Sequence, residues 1–339
     1  ARGILAWMAS IGLVLGAGGI AGQAYHAGVL AALEAATGWD PRSARLIVGT
    51  SAGSITGTLL RSGVSAGDLA AWTTRAPLSV EGSLVRELFG EEFPELEPLR
   101  ASHFLRRPSL PGLNLVRRVA LRPGQPPGAA LLLTLLAPGP GDIAALLEPL
   151  KAVEPPGWRV GDLWVCAVRR RDGRRVVFGH KGGPAAPLHL AVAASCAVPG
   201  YFAPVSIDGV AYVDGGVHSP TNAAIVRDQD LDLVVVVSPM SGAPSMPITN
   251  AVVAGHATMR LGMEVRALRR AGIDTIAFEP GQAEQNLIGG EWMSRRNVGS
   301  ITLAAYDATS RRLDQRGVRE VLAGADLYVG GPQAPGRTA

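Results

Sequence analysis

The sequence predicts an α/β protein built on a mainly parallel sheet, and three observations predict it. Short apolar runs of strand length alternate with longer segments of helical spacing, joined by short connections. That order calls for parallel strands linked by right-handed crossovers. Glycines gather where strands hand over to helices. At 339 residues and 47% hydrophobic composition, the chain has enough apolar surface for one large domain spanning 1–339.

The elements follow in order. Ile11 to Leu15 is a buried strand by length and by its glycine flank. Gln23 to Ala36 reads as a helix that Gly38 ends, and residues 44–49 ("ARLIVG") as a second buried strand. Helices are expected from Ser51 to Leu60 and from Ser65 to Arg75. Character changes over 77–156, where prolines and glycines crowd "RRPSLPG" and "LRPGQPPG" between short stretches of helical spacing. This region reads as an inserted helical lid or cap. Its apolar run at 129–138 is too short to span a bilayer and reads either as a buried helix or as a greasy flap. Strands return at "DLWVCAV" and "RRVVFG", with Asp172-Gly173 signalling a hairpin turn, and again in "PVSIDGVAYVDGG" around Asp208-Gly209. A short helix at His189–Ala194 lies between these hairpins. "LDLVVVVSP", a long helix from about Thr249 to Ala271, the strand "DTIAFEP" and a last helix from Ser300 to Leu322 complete the chain.

Composition narrows the function. A net charge of +4 makes a mildly basic chain, which is not the footprint of a nucleic-acid binder. Cys166 and Cys196 supply neither a disulfide framework nor a metal cluster, and no metal-ligand spacing occurs; no cofactor or metal is expected. Residues 3–22 are apolar and follow Arg2, imitating a targeting segment. Their glycine-rich second half suits a strand running into a tight loop instead. Residues 1–7 read as a leader or appended remnant, with Met8 a candidate start. A cytoplasmic chain, peripheral to the membrane, is the expectation.

Two stretches match G-x-S-x-G: Gly49-Thr50-Ser51-Ala52-Gly53 and Gly63-Val64-Ser65-Ala66-Gly67. In a chain this rich in glycine the pattern alone says little, so context decides. A nucleophilic serine needs a sharp strand-to-helix turn whose small neighbours let Oγ stand above the sheet edge. Ser51 has the strand before it and the helix after it. Ser65 follows a helix and precedes Asp68, and so reads as an N-cap. An attacking hydroxyl also needs oxyanion donors. The loop "LVLGAGGIAG" places Gly16, Ala17, Gly18, Gly19 and Gly22 between the first strand and first helix, and the Ala52 N–H adds a further donor. A dinucleotide site would want an acid at the end of the second strand, where this chain has Gly49-Thr50-Ser51.

The base is less plain. His218 and His256 follow the other motifs, and Asp214, followed by Gly215 and Gly216, competes with them. Desolvation raises a carboxylate's pKa and fits it for this task. Four blocks in order, "GAGGIAG", "GTSAG", "ASCAVPGYFAP" and "DGG" (residues 214–216), resemble the patatin-like phospholipase family. The resemblance implies a three-layer α/β/α sandwich and hydrolysis of lipid acyl esters by a dyad of Ser51 and Asp214. It also implies an oxyanion hole at Gly18 and Gly19, with His218 only a wall residue. Many members have glycine where this chain has Ala17 and a basic residue where it has Ala21, which weakens the case for phospholipids relative to neutral esters. A lipid acyl-ester substrate and peripheral membrane contact follow, with the basic turn 169–175 either meeting headgroups or merely solvated. A lipid-binding or regulatory protein of weak turnover is the alternative from another class.

Overall fold

The structure, a computed structural model, describes residues 9–93, 138–154, 158, 162–242 and 248–328. Elements are numbered among those residues. The strands are β1 (Ile11–Leu15), β2 (Leu46–Thr50), β3 (Leu163–Arg169), β4 (Arg174–Phe178), β5 (Val205–Ile207), β6 (Val210–Asp214), β7 (Leu233–Val237) and β8 (Asp274–Phe278). They form one sheet in the order β5-β6-β3-β2-β1-β7-β8, with β4 added on β3. The run from β3 through β2, β1 and β7 to β8 is parallel, whereas β4, β5 and β6 join through antiparallel pairs.

The helices are α1 (Gly19–Thr37), α2 (Ala52–Arg61), α3 (Ala66–Thr74), α4 (Ser83–Phe89), α5 (Ile143–Leu146), α6 (Leu188–Cys196), α7 (Ile248–Arg270), α8 (Gln282–Ile288), α9 (Val298–Leu313) and α10 (Arg316–Gly324). They make the outer layers. Successive strand residues face opposite sides of a sheet, and the packing follows that alternation. Leu13, Leu15, Ile47, Val165 and Val235 enter the core shared with α1, α2, α3 and α6. Val14, Val48, Trp164 and Val234 enter a second core with Leu261 and Leu268 of α7. Both faces are covered, which is why these strands read as continuous apolar runs.

Two local outcomes differ from the sequence reading. The first helix begins at Gly19, ahead of Gln23, so the glycine loop itself forms its first turn. The last helix is two, because the chain turns extended at Gln315 (φ −68°, ψ 133°) between α9 and α10. Helices α4 and α5 fall within 77–156, where the sequence shows short stretches of helical spacing; α8 was not foreseen, its seven residues carrying little periodicity. Both hairpins form at the expected turns, with Asp208 and Gly209 at φ 49° and 73°. The apolar run at 129–138 lies outside the described residues except at its last position. No helix among the described residues is long and apolar enough to cross a membrane.

One feature of the sheet brings Thr50 and Asp214 together. Along β3, β4 covers Val165–Arg169 on one edge. β2 pairs with Leu163–Cys166 and β6 with Ala167–Arg169. A strand has two edges, so β2 and β6 share the second, end to end and running toward each other. Thr50 pairs with Cys166 and Asp214 with Ala167, its immediate neighbour.

Candidate active site

Ser51 occupies the turn between β2 and α2 with φ 52° and ψ −121°, a conformation that costs a residue with a side chain about 1–3 kcal/mol. The surroundings hold it there. Its N–H donates to Ser195 Oγ (2.8 Å), and Ser195 in turn donates to the Cys166 carbonyl (2.6 Å). Its carbonyl accepts from Ser54 N–H (2.8 Å) and Ser54 Oγ (2.7 Å). The elbow also presses on β1: a Cβ at Gly53 would lie 2.0 Å from the Leu15 carbonyl oxygen, so only glycine fits there. Gly49, the last glycine before the turn, pairs with Leu15 on one side and Val165 on the other.

The loop after β1 lies beside this elbow because β1 and β2 are parallel neighbours. Its first two amides are already engaged: Gly16 N–H with the Val237 carbonyl (2.9 Å) and Ala17 N–H with the Pro220 carbonyl (2.8 Å). Ala17 is therefore a support and not a donor to substrate. Gly22 N–H closes the first helical bond on the Gly18 carbonyl (2.7 Å). Among the described residues, no carbonyl accepts from the N–H groups of Gly18, Gly19 or Ala52. The first N–H groups of a helix lack partners within it. Two helix starts, α1 and α2, thus present free donors around Ser51, each at the positive end of a helix dipole.

Asp214 reaches the site from the opposite direction, at the end of the antiparallel β6. It is 4% exposed. Burial pushes its pKa up to about 7, against the pull of the nearby Ser51 hydroxyl and the Gly216 N–H. Oδ1 accepts from Gly216 N–H (2.7 Å). Oδ2 is buried and meets no hydrogen-bond partner among the described residues. Ser51 and Asp214 both line a cavity of about 410 Å³, along with Gly18, Gly19 and Gly216. Gly215 backs onto the sheet, where a Cβ would lie 2.2 Å from the Cys166 carbonyl oxygen.

Several supporting residues were not assigned from sequence. Asn222, fully buried and left-handed (φ 53°), donates to Thr50 Oγ1 (3.1 Å) and to the Ser219 carbonyl (2.7 Å). It thus ties the segment after Asp214 to the residue before Ser51. Glu264 of α7 accepts from Ser219 Oγ (2.7 Å), the Thr221 hydroxyl and the Ala223 N–H (2.8 Å). A signal existed for it: Ala254, Ala257, Leu261, Glu264 and Leu268 make one buried helix face, with an acid among apolar residues. His218 does not line the cavity; His256 does, and is the histidine on its wall. His26, wholly buried below the loop, meets Thr56 Oγ1 at 3.2 Å, and burial pushes its pKa down to about 3. It bridges α1 and α2 as a neutral ring. Ser65 is the N-cap expected: its Oγ accepts from Asp68 N–H (3.0 Å).

A model of the patatin-like phospholipase family matches residues 13–227, a span containing the glycine loop, the elbow, Ser195 and Asp214. Among solved structures, VipD from Legionella pneumophila is similar, with a TM-score of 0.42 and 15% identity over 90% of this chain and 67% of that one. The chain belongs to the patatin-like phospholipase family.

Proposed function

We propose that this patatin-like chain is a serine acyl hydrolase that cleaves fatty-acyl esters through a dyad of Ser51 and Asp214. The observation that carries the reading is the meeting on β3. A strained, buried serine and a buried carboxyl flank one cavity, where one carboxyl oxygen and three amides have no partner among the described residues.

In the first half-reaction Ser51 Oγ bonds to the ester carbonyl carbon while its proton passes to Asp214 Oδ2. The carbonyl oxygen becomes an oxyanion received by the Gly18, Gly19 and Ala52 N–H groups. The carbon–oxygen bond to the alcohol then breaks, and Asp214 returns the proton to the departing oxygen. Water repeats the sequence: it attacks the acyl-enzyme, gives its proton to Asp214, and the acid leaves as Ser51 recovers that proton. A carboxylate serves as base here because burial has moved its pKa toward neutrality. The whole chain is read as one hydrolase domain with 77–156 as its inserted part, and as working at a lipid surface.

Ester turnover by purified variants tests the reading. Ser51→Ala and Asp214→Asn are each expected to abolish hydrolysis, while His218→Ala retains most of it. Full turnover by the Asp214→Asn protein would remove the dyad.

A further inference from the structure

Ser51 opens onto two spaces. The wide cavity also holds Asp214. The second is a smaller channel of about 60 Å³ that shares Gly19, Ser51 and Met293 with the first. Its wall is formed by Ala52, Ile55, Trp72, Phe93, Leu147 and Phe202, with the Trp72 and Phe93 rings 4.3 Å apart. Asp214 does not border it.

Resting on the hydrolase reading, we infer that the acyl chain lies in this smaller channel and that the leaving alcohol, an uncharged one, lies in the wide cavity. Proton return decides the orientation. Asp214 must reach the alcohol oxygen as its bond to carbon breaks, so the alcohol sits on the Asp214 side. The chain on the far side of the carbonyl then points into the channel. Departure of the alcohol empties the space beside Asp214, where the attacking water must bind.

Charge decides the alcohol's class. Among the described residues lining the wide cavity there is no arginine or lysine; its titratable groups are Asp214, Tyr201 and His256. Burial and the neighbouring Arg260 hold the His256 ring below its ordinary pKa, favouring the neutral form. Arg260 itself is turned toward Glu264 (3.9 Å). A phosphodiester there would face the Asp214 carboxylate with no lining cation among the described residues to answer it.

The channel sets a gradient. Its lining is apolar and suits a short acyl chain. Each buried methylene is worth about 0.8 kcal/mol, about a fourfold gain in kcat/KM.

The test compares kcat/KM for p-nitrophenyl acetate and hexanoate, and for dihexanoylglycerol and dihexanoylphosphatidylcholine. Hexanoate is expected to exceed acetate by at least about 50-fold, and the neutral glyceride to exceed the phosphatidylcholine by at least about tenfold. Ile55→Trp and, independently, Leu147→Trp are expected to lower the hexanoate-to-acetate ratio at least about tenfold while leaving the headgroup ratio in place. Val253→Arg, at the mouth of the wide cavity, is expected to shift the headgroup ratio toward the phosphate ester and leave the chain-length ratio. Ser51-dependent turnover of acetate with no chain-length gradient, or a preference for the phosphatidylcholine, would overturn this inference while the hydrolase reading stands. Absence of any Ser51-dependent turnover overturns both.

Discussion

Ser51 and Ser65 stand in the same five-residue pattern, and their surroundings could hardly differ more. At Ser51 the chain leaves β2 with a positive φ, both backbone polar groups are tied down, and the hydroxyl faces a cavity. At Ser65 the backbone is extended (φ −75°, ψ 161°), and the hydroxyl is spent on Asp68, accepting from its N–H and donating to its carboxyl (2.6 Å). The first serine has its main chain constrained and its hydroxyl turned to a cavity beside Asp214; the second has its hydroxyl bound up in capping its own helix. A hydroxyl becomes available for chemistry when the backbone, and not the side chain, satisfies the turn.

That contrast can be broken by experiment. Ser51→Ala is expected to lower ester turnover by about 10⁴-fold or more, the scale seen when a nucleophile is removed; Ser65→Ala is expected to leave kcat/KM within about twofold. Equal losses would erase the distinction between the two sites. Next in size is Asp214→Asn, with an expected loss of about 10³-fold, which would flatten a rate that in the wild type climbs as pH rises through about 7. The sign follows from the base having to be deprotonated to accept the Ser51 proton.

Ser195→Ala sharpens the contrast from the other side. It would leave the buried Ser51 N–H without its acceptor, and kcat is expected to fall about tenfold with KM little changed, Ser195→Thr restoring part of it. Steady-state kinetics of the pair separates this from a general loss of folded protein. The smallest effects are on stability. Removing the cap in Ser65→Ala is expected to cost about 1 kcal/mol in urea melts. Asp214→Asn is expected to gain more stability at pH 8 than at pH 5. There the folded pKa lies above the unfolded one, so the native state binds the extra proton and loses stability as pH rises from about 4 to 7. A stability gain at pH 5 equal to that at pH 8 would contradict the raised pKa.

How far the site was legible follows the distance between its parts. Ser51, Ala52 and the glycine loop are local: strand, turn and helix sit together in the sequence, and their arrangement could be read there. The parallel pairing of the first two strands followed from the same alternation. Asp214 could not be singled out among His218 and His256 from its own neighbourhood; the family resemblance singled it out. The sequence also does not show β6 running antiparallel onto the free half of the β3 edge, the arrangement that brings Asp214 to Thr50. Asn222 and Glu264 were harder still. Their partners lie on other elements, and one buried acid on an apolar helix face is a faint mark. His256 reaches the cavity wall only because α7 packs under the sheet.

The pH profile of Ser51 modification by a fluorophosphonate probe tests the dyad most directly, since it reads the nucleophile without requiring a natural substrate. The account predicts labelling of wild type at Ser51 that accelerates as pH rises through about 7, and labelling of Asp214→Asn that is slow and level across that range. An Asp214→Asn protein labelled as fast as wild type, with the same rise near pH 7, would contradict it.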